Sequence, residues 1–126
     1  FTIVLCLVSP LVHPRIRTEE LMECAALGVP VYVEVDALPG ATTPVTLAGT
    51  LVEQNANVLT GVCLAQMVRP GHPCISSLAS GIMDMSTGSY SGGAPETQLL
   101  HAATVQMAHS FGLPCQAGTG IVAAFG

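Results

Sequence analysis

A helical pattern gives way to a strand pattern at Gly28-Val29-Pro30, and Val31-Tyr32-Val33-Glu34-Val35-Asp36 follows directly. Glycine supplies the left-handed residue that ends a helix, and proline can begin a strand without breaking its hydrogen-bond ladder. The residue between them is pushed toward extended geometry because it precedes proline. The segment therefore predicts a helix-to-strand joint with a strand after it.

The same joint recurs twice more, as Gly71-His72-Pro73 and Gly112-Leu113-Pro114. Each copy follows a helical pattern and precedes an apolar, strand-like run. Since one physical device is used three times in the same order, the chain is predicted to repeat an α/β unit.

The patterns between the joints predict three helices. Thr18 is a suitable N-cap, with acidic residues in the first turn, and Pro95 suits a first helical position. The helices are expected over about Thr18 to Leu27, about Val45 to Val68, and from Pro95 onward. The apolar stripes of the second and third are predicted at Leu47, Leu51, Val58 and Val62, and at Leu99, Leu100, Ala103, Met107 and Phe111. Asn55 lies within the second stripe and needs a hydrogen-bond partner if it is buried.

Four strands are predicted, mostly apolar as parallel strands covered on both faces are. They are Ile3–Val8, Val31–Asp36, Cys74–Leu78 and Cys115–Ala117. The fold class is therefore α/β, either an open doubly wound sheet or an arc of a (β/α)₈ barrel. Both architectures bind ligands at the carboxyl ends of their strands. The loops at that edge are Ser9–Ile16, Ala37–Pro44, Ala79–Ala94 and the residues from Gly118 onward.

The composition is unusually poor in charge for a self-contained domain. Half of the 126 residues are apolar and 9 % are charged, where roughly 25 % is ordinary. The longest apolar run, Phe1 to Val8, is far shorter than the ~20 residues that span a bilayer. We therefore expect an internal piece of a larger protein, with uncovered apolar helix faces and strand edges, that is poorly soluble and inactive alone. We also expect that neither Phe1 nor Gly126 is a natural terminus.

The charge balance limits the kinds of partner that the chain is expected to bind. The net charge is −5, and the chain has three arginines and no lysine, too few to hold a nucleic acid or form a basic membrane-surface helix. A cationic or neutral partner fits better. The five cysteines include no closely spaced pair, which favours buried, reduced thiols in a cytoplasmic protein.

Period-two alternation places the valines of the second strand on one face and Tyr32, Glu34 and Asp36 on the other. Two carboxylates cannot lie under packed helices without a large desolvation cost. In a barrel they would line the lumen, with Asp36 nearest the mouth, and would suit a cationic substrate. The alternative is an edge strand with a solvated polar face.

Two loops add candidate residues. Thr42 and Thr43 precede a helix and could hold a carboxylate, although a loop in which Thr43 or Thr46 caps that helix is equally compatible. The segment from Ser80 to Gly93 is long for its position, and such loops are usually functional. It contributes Asp84 and Tyr90, for which capping or loop packing is the alternative.

Other patterns are weaker. Residues 118–123 read G-x-G-x-x-A, a dinucleotide-binding fingerprint, but the chain ends before the acidic residue that should follow. The four histidines, at positions 13, 72, 101 and 109, have no metal-ligand spacing and are predicted to be loop or surface residues. No metal site is predicted.

Several ordered segments resemble the trimethylamine methyltransferase (MttB-like) family. The first is Pro39-Gly40-Ala41-Thr42-Thr43-Pro44-Val45-Thr46-Leu47-Ala48-Gly49. Gln54-Asn55-Ala56, Leu64–Gly71, Met83–Gly88, Gly93–Glu96 and Gly112–Pro114 follow in the family's order. The resemblance covers roughly residues 8 to 120 and departs after Gly120, where a polar segment is expected.

The resemblance implies a single TIM-barrel methyltransferase domain, of which residues 1–126 form a part with about four parallel strands and three helices. It further implies methyl transfer from trimethylamine, glycine betaine or a related amine to the Co(I) of a separate corrinoid protein. No cofactor would be bound directly, and the full-length form would be a homo-oligomer. The expected substrate-binding residues are Tyr32, Glu34, Asp36, Thr42, Thr43, Asp84 and Tyr90, with no catalytic residue assigned. The alternatives are a non-catalytic barrel fragment and a nucleotide-binding α/β domain.

Overall fold

The computed structural model describes residues 1–117, which form six strands and three helices. The strands are β1 (Ile3–Val8), β2 (Val31–Asp36), β3 (Cys74–Leu78), β4 (Ile82–Asp84), β5 (Ser89–Ser91) and β6 (Cys115–Ala117). The helices are α1 (Arg15–Leu27), α2 (Leu47–Val68) and α3 (Pro95–Ser110). The G-x-G-x-x-A pattern and the apolar segment after Gly120 lie outside the described residues.

The main sheet is parallel, in the order β1-β2-β3-β6. All four predicted strands are confirmed at the predicted residues. The order follows the chain and does not reverse, as it would at the switch point of a doubly wound sheet. Within residues 1–117 the sheet is open, so the structure shows an α/β unit of four parallel strands and three helices rather than a closed barrel.

The three helices lie side by side on one face of this sheet. α1 packs against α2 and β1, α2 packs against α3, β2 and β3, and α3 packs against β3 and β6. The core between helices and sheet contains Leu5, Leu7, Leu21, Ala25, Val31, Val33, Val35, Val58 and Ala65. At Gly61 of α2, an added Cβ would lie 2.7 Å from Val33 Cγ1, so glycine allows this helix to approach the sheet closely.

The three predicted joints are confirmed. Gly28, Gly71 and Gly112 have φ angles of 76°, 80° and 69°, in the left-handed region that favours glycine. At the first joint the Gly28 and Val29 amides donate to the last carbonyls of α1. Gly28 is the C-cap of α1, whereas Gly71 and Gly112 follow the C-caps Arg69 and Phe111, and each of the three glycines lies in the turn that leads the chain into a strand.

The predicted start of α1 at Thr18 is wrong. The helix begins three residues earlier, at Arg15, and Thr18 lies inside it and donates its hydroxyl hydrogen to the Pro14 carbonyl at 3.2 Å. Arg15 and Arg17 each pair with a glutamate on the next turn, at 2.6 and 2.7 Å. These pairs and the fixed φ of Pro14 favour the earlier start. α3 begins at Pro95 as predicted.

The predicted apolar stripe of α3 is also largely wrong. Leu99 is 61 % exposed, and Met107 and Phe111 are exposed as well. The buried face instead carries Thr97, Leu100, His101, Thr104 and Ala108. Hydrogen bonds to neighbouring segments satisfy its polar groups, so this face can be buried although it is less apolar.

On α2 the buried amides are Gln54 and Asn57, not Asn55. Asn55 is half-buried and donates its side-chain amide to the Leu51 carbonyl at 2.7 Å. The Gln54 side-chain oxygen accepts from the Thr104 hydroxyl of α3 at 3.3 Å. Polar contacts thus join α2 to α3 inside the layer.

Two features fall outside the predicted pattern. β4 and β5 form an antiparallel hairpin within the long third loop, with Met83 paired to Tyr90. The five cysteines are free thiols, and Cys63 is exposed rather than buried. Through residues 1–117, no helix combines the length and apolar character needed to cross a bilayer.

Candidate functional site

Tyr32, Glu34 and Asp36 share one face of β2, opposite the valines that pack under the helices. The predicted alternation is confirmed. Because α1, α2 and α3 all lie on the valine side, no helix of the described residues covers this second face. We call it the open face. On β1 its side chains include Val4 and Val8, which are 52 % and 48 % exposed.

Glu34 is the centre of a hydrogen-bonded row across the open face. The Cys6 thiol of β1 donates to Oε1 at 3.3 Å, and the Ser77 hydroxyl of β3 donates to Oε2 at 2.8 Å. The three residues are register partners in the parallel ladder. Each side of the carboxylate is therefore held by one neighbouring strand.

Cys6 and Ser77 were not among the residues predicted from the sequence. A signal for them existed, since each of the three is the fourth residue of its strand. β2 and β3 both begin directly after the proline of a joint, so their equal positions become neighbours, whereas β1 follows no joint and the position of Cys6 in its strand is the only signal for it. The alternation of polar and apolar residues is a property of one strand, whereas this signal lies between strands.

The pKa values of Cys6 and Asp36, which lie beside Glu34, are both raised. Burial, the hydrogen bond to Glu34 and the nearby carboxylates raise the pKa of the Cys6 thiol to about 11. Burial and the charge of Glu34 also raise the pKa of Asp36. The thiol is therefore protonated near neutral pH and serves as a donor, and the two carboxylates concentrate negative potential at this edge.

The β2–α2 loop uses its hydroxyls locally. Thr42 Oγ1 accepts from the Leu38 amide at 3.0 Å, and buried Thr43 lies 2.9 Å from the Thr50 hydroxyl of α2. Thr46 is the N-cap of α2 and accepts from the Gly49 amide at 3.2 Å. The capping interpretation is thus confirmed for Thr46, while carboxylate binding by Thr42 and Thr43 stays a prediction.

Asp84 and Tyr90 are placed on the hairpin that follows β3. Asp84 is exposed and accepts from the amide and hydroxyl of Ser86 at 2.8 and 2.7 Å, which lowers the pKa of its carboxyl. The Tyr90 ring lies against Gly81, where an added Cβ would collide with it. Loop packing accounts for both contacts, and a role in substrate binding stays a prediction.

Ser80 joins two of the loops at the carboxyl end of the sheet. Its hydroxyl accepts from the Ala37 amide at 2.8 Å, and its carbonyl lies 2.9 Å from His101 Nε2 of α3. Since a carbonyl only accepts, Nε2 carries the hydrogen. His101 is buried within α3, so the prediction of a loop or surface position is wrong for this histidine, whereas His72 lies in the loop before β3 and is buried there.

Glu53 of α2 anchors the loop between β1 and α1 by hydrogen bonds. Its carboxylate accepts from the Leu11 amide at 3.0 Å, the Ser9 hydroxyl at 3.3 Å and the Asn57 side chain at 2.8 Å. Together with Ser80 and His101, it gives every described loop at this edge a contact to the scaffold. A site at this edge is therefore built on anchored backbone.

An apolar groove of about 300 Å³ lies between the β2–α2 loop and the hairpin. Its lining includes Pro39, Val45, Met83 and Met85, with Glu96 as its one acidic group. Within residues 1–117 no three His, Cys, Asp or Glu side chains come together as a metal ion would require. The polar chemistry near this edge belongs to the row centred on Glu34.

Comparison with known proteins decides the family. A family model described as trimethylamine methyltransferase (MTTB) matches residues 1–125. The chain belongs to this family. The trimethylamine methyltransferase resemblance predicted from the ordered segments is therefore confirmed.

Individual proteins similar to this chain are also named as methyltransferases of amines or betaines. A glycine betaine methyltransferase of Desulfitobacterium hafniense (strain Y51) is 40% identical over 113 residues, covering 90% of this chain and 24% of its own length. The trimethylamine methyltransferase MttB of Methanosarcina thermophila is 39% identical over 114 residues, with the same two shares. A proline betaine:corrinoid methyltransferase of Eubacterium limosum is 32% identical over 113 residues, or 90% and 23%. The chain thus spans about a quarter of these relatives.

Proposed function

We propose that this chain is part of a methyltransferase that removes a methyl group from trimethylamine, glycine betaine or a related amine. Membership in the trimethylamine methyltransferase family and the names of the relatives support the class of reaction and of substrate. The acceptor in this proposal is the Co(I) of a corrinoid carried by a separate protein. The name of the proline betaine relative supports a corrinoid acceptor.

One structural observation carries the proposal: the open face presents Glu34 and Asp36 side by side at the carboxyl end of β2. Trimethylammonium and betaines are cations at the nitrogen, and a half-buried carboxylate such as that of Glu34 attracts a cation more strongly than a fully solvated one does. The ring of Tyr32 shares the face and can contact an ammonium group by its π surface. Tyr90 offers a second ring near the same edge.

The mechanism of methyl transfer determines what the residues of the open face have to contribute. The N–CH₃ bond breaks with its electron pair remaining on nitrogen, and the methyl group passes to the cobalt. A quaternary ammonium then leaves as a neutral amine, whereas a tertiary amine must first be protonated or otherwise activated. The described side chains contribute binding and orientation, which hold the methyl group toward the acceptor and so accelerate transfer.

The remaining parts of the proposal concern the whole protein. In it, further β-α units complete a (β/α)₈ barrel in which the open face lines the lumen; the unreversed strand order supports this arrangement. Asp84 lies on the rim that receives the corrinoid protein. Thr42 and Thr43 orient the carboxylate when the substrate is a betaine. The whole enzyme is a cytoplasmic homo-oligomer.

The test uses the full-length protein with Glu34→Gln and Asp36→Asn. Both changes remove a charge and keep the shape of the side chain. We expect the Kd for glycine betaine or trimethylammonium to rise by about tenfold or more in each variant, equivalent to about 1.4 kcal/mol. Calorimetry measures binding, and methyl transfer to a Co(I) corrinoid at saturating substrate measures the rate.

Glu23→Gln is the matched control, because Glu23 is an exposed carboxylate of α1. It should leave both Kd and rate unchanged. Unchanged affinity and rate in both Glu34→Gln and Asp36→Asn would remove the open face from the substrate site. A loss confined to glycine betaine in Thr42→Val or Thr43→Val would assign those hydroxyls to the carboxylate.

A further inference from the structure

We propose that Cys6 and Ser77 are positioning residues, which hold the Glu34 carboxylate in the orientation that attracts the cationic nitrogen of the substrate. This inference rests on the proposed function. The geometry that supports it is the row described above, in which one donor from β1 and one from β3 reach opposite oxygens of Glu34, at 3.3 and 2.8 Å.

The two donors have shorter side chains than Glu34 and therefore fewer rotatable bonds. Ser77 is 2 % exposed, whereas Cys6 and Glu34 are both half-buried, and Glu34 lies on a face without a covering helix among the described residues. A glutamate has several rotatable bonds, and ordering such a side chain costs conformational entropy. Contacts from both neighbouring strands restrict its orientations before any ligand arrives, so less of that entropy is lost on binding.

The two hydrogen bonds from Cys6 and Ser77 still allow the Glu34 carboxylate to interact with a ligand. Two carboxylate oxygens offer about four acceptor positions, and the row uses one on each oxygen. A quaternary ammonium has no N–H to donate, so its attraction to Glu34 depends only on where the negative charge lies. A displaced carboxylate therefore weakens binding with no hydrogen bond to compensate for the distance.

The choice of donor side chains fits this role. A protonated thiol and a hydroxyl supply hydrogen bonds without a positive charge, and the raised pKa of Cys6 keeps its hydrogen in place near neutral pH. A lysine or arginine at either position would neutralise Glu34 and repel the substrate. The row thus fixes the carboxylate and preserves the negative potential of the open face.

The experiment measures binding of glycine betaine by the full-length variants Ser77→Ala, Cys6→Ala and Cys6→Ser. We expect Kd to rise by about two- to tenfold in each alanine variant, in keeping with the loss of one hydrogen bond. Cys6→Ser should restore most of the affinity, because the serine hydroxyl can donate to the same oxygen. The rate of methyl transfer at saturating substrate should change much less than Kd.

Two controls separate positioning from folding. Cys63→Ala and Ser110→Ala make the same changes at exposed positions on α2 and α3, and they should leave Kd unchanged. The second is 3,3-dimethylbutanoate, an isostere of glycine betaine that keeps the carboxylate but has an uncharged carbon in place of the ammonium nitrogen. If Ser77→Ala weakens this isostere as much as glycine betaine, the effect is structural and the positioning proposal is overturned.

A double-mutant cycle with Glu34→Gln decides the mechanism. If Ser77 acts through the Glu34 charge, Ser77→Ala should have little further effect on Kd in the Glu34→Gln background. Full additivity would overturn the proposal. Failure of both Glu34→Gln and Asp36→Asn to alter binding would refute the proposed substrate site, whereas an effect of Glu34→Gln without any in Ser77→Ala or Cys6→Ala would refute the positioning role alone.

Discussion

The two faces of β2 differ as much as two faces of one strand can. Val31, Val33 and Val35 are buried beneath the helices, while Tyr32, Glu34 and Asp36 alternate with them on the open face. The valines contribute hydrophobic stabilisation, whereas the polar row contributes charge at defined positions. Because side chains alternate between the two faces of a strand, one strand can contribute to the core on one face and to a candidate ligand site on the other.

The helix layer changes in a related way along α2. Its buried residues are apolar or small toward its C-terminus, as at Val58 and Ala65, and polar toward its N-terminus, as at Thr50 and Gln54. The N-terminus of α2 follows the carboxyl end of β2, so the polar half of the layer lies next to the loops. Hydrogen bonds rather than apolar contacts therefore hold the edge at which a ligand would bind.

The largest loss of stability is expected from a substitution in the core between the helices and the sheet. Leu5→Ala removes a side chain that is 2 % exposed and part of the core. Such truncations cost about 2–5 kcal/mol, because they lose buried area and leave a cavity. Chemical denaturation of the full-length protein measures the change. Val52→Ala, at a position of α2 that is 72 % exposed, is the control and should cost less than about 1 kcal/mol. Equal costs would show that Leu5 does not lie in a packed core.

A smaller effect is expected where α2 approaches β2. An alanine Cβ at position 61 would lie 2.7 Å from Val33 Cγ1 and 3.3 Å from Leu7 Cδ1. Gly61→Ala should therefore destabilise the protein by about 1–3 kcal/mol through overpacking, although alanine is the better helix former. Thr60→Ala, at the neighbouring exposed position, should stay within about 0.5 kcal/mol. A gain in melting temperature for Gly61→Ala would mean that the helix can move away from the sheet without loss.

The smallest effect concerns a buried titratable group in the loop before β3. Burial lowers the pKa of His72 below 6.5, and the charge of Arg69 adds to this. Below pH 6.5 the unfolded chain therefore binds a proton that the native chain resists, so the free energy of unfolding should fall as the pH falls through this value. His72→Gln should flatten this dependence between pH 7 and 5. His109→Gln, at an exposed position, should preserve it; an unchanged slope in His72→Gln would refute the assignment.

The local elements were predictable because their causes are local. The four strands of the main sheet occupy the predicted residues, and the glycines of all three joints are left-handed. A positive φ at Gly28 and the conformational limits set by Pro30 depend on adjacent residues only. The alternation of β2 likewise follows from strand geometry, so the shared face of Glu34 and Asp36 could be inferred before any partner was known.

The predictions were wrong where the neighbours of a residue are supplied by segments that are distant in the sequence. Leu99 and Phe111 are as apolar as core residues, but the face of α3 that meets the scaffold is the one whose threonines and histidine find partners. A sequence pattern measures hydrophobicity and cannot measure whether a polar group will be satisfied. His101 was misplaced for the same reason, because its acceptor is the carbonyl of Ser80.

The sequence by itself determined the order of the helices and strands, the joints between them and the acidic face of β2, since these depend on backbone preferences and on a period of two. Only the tertiary structure decided which side chains hold Glu34. Cys6 lies 28 residues before it and Ser77 lies 43 residues after it, and neither has a local reason to meet a carboxylate. Their contact depends on the parallel register, and the register forms only when the helices pack on the sheet and align the strands.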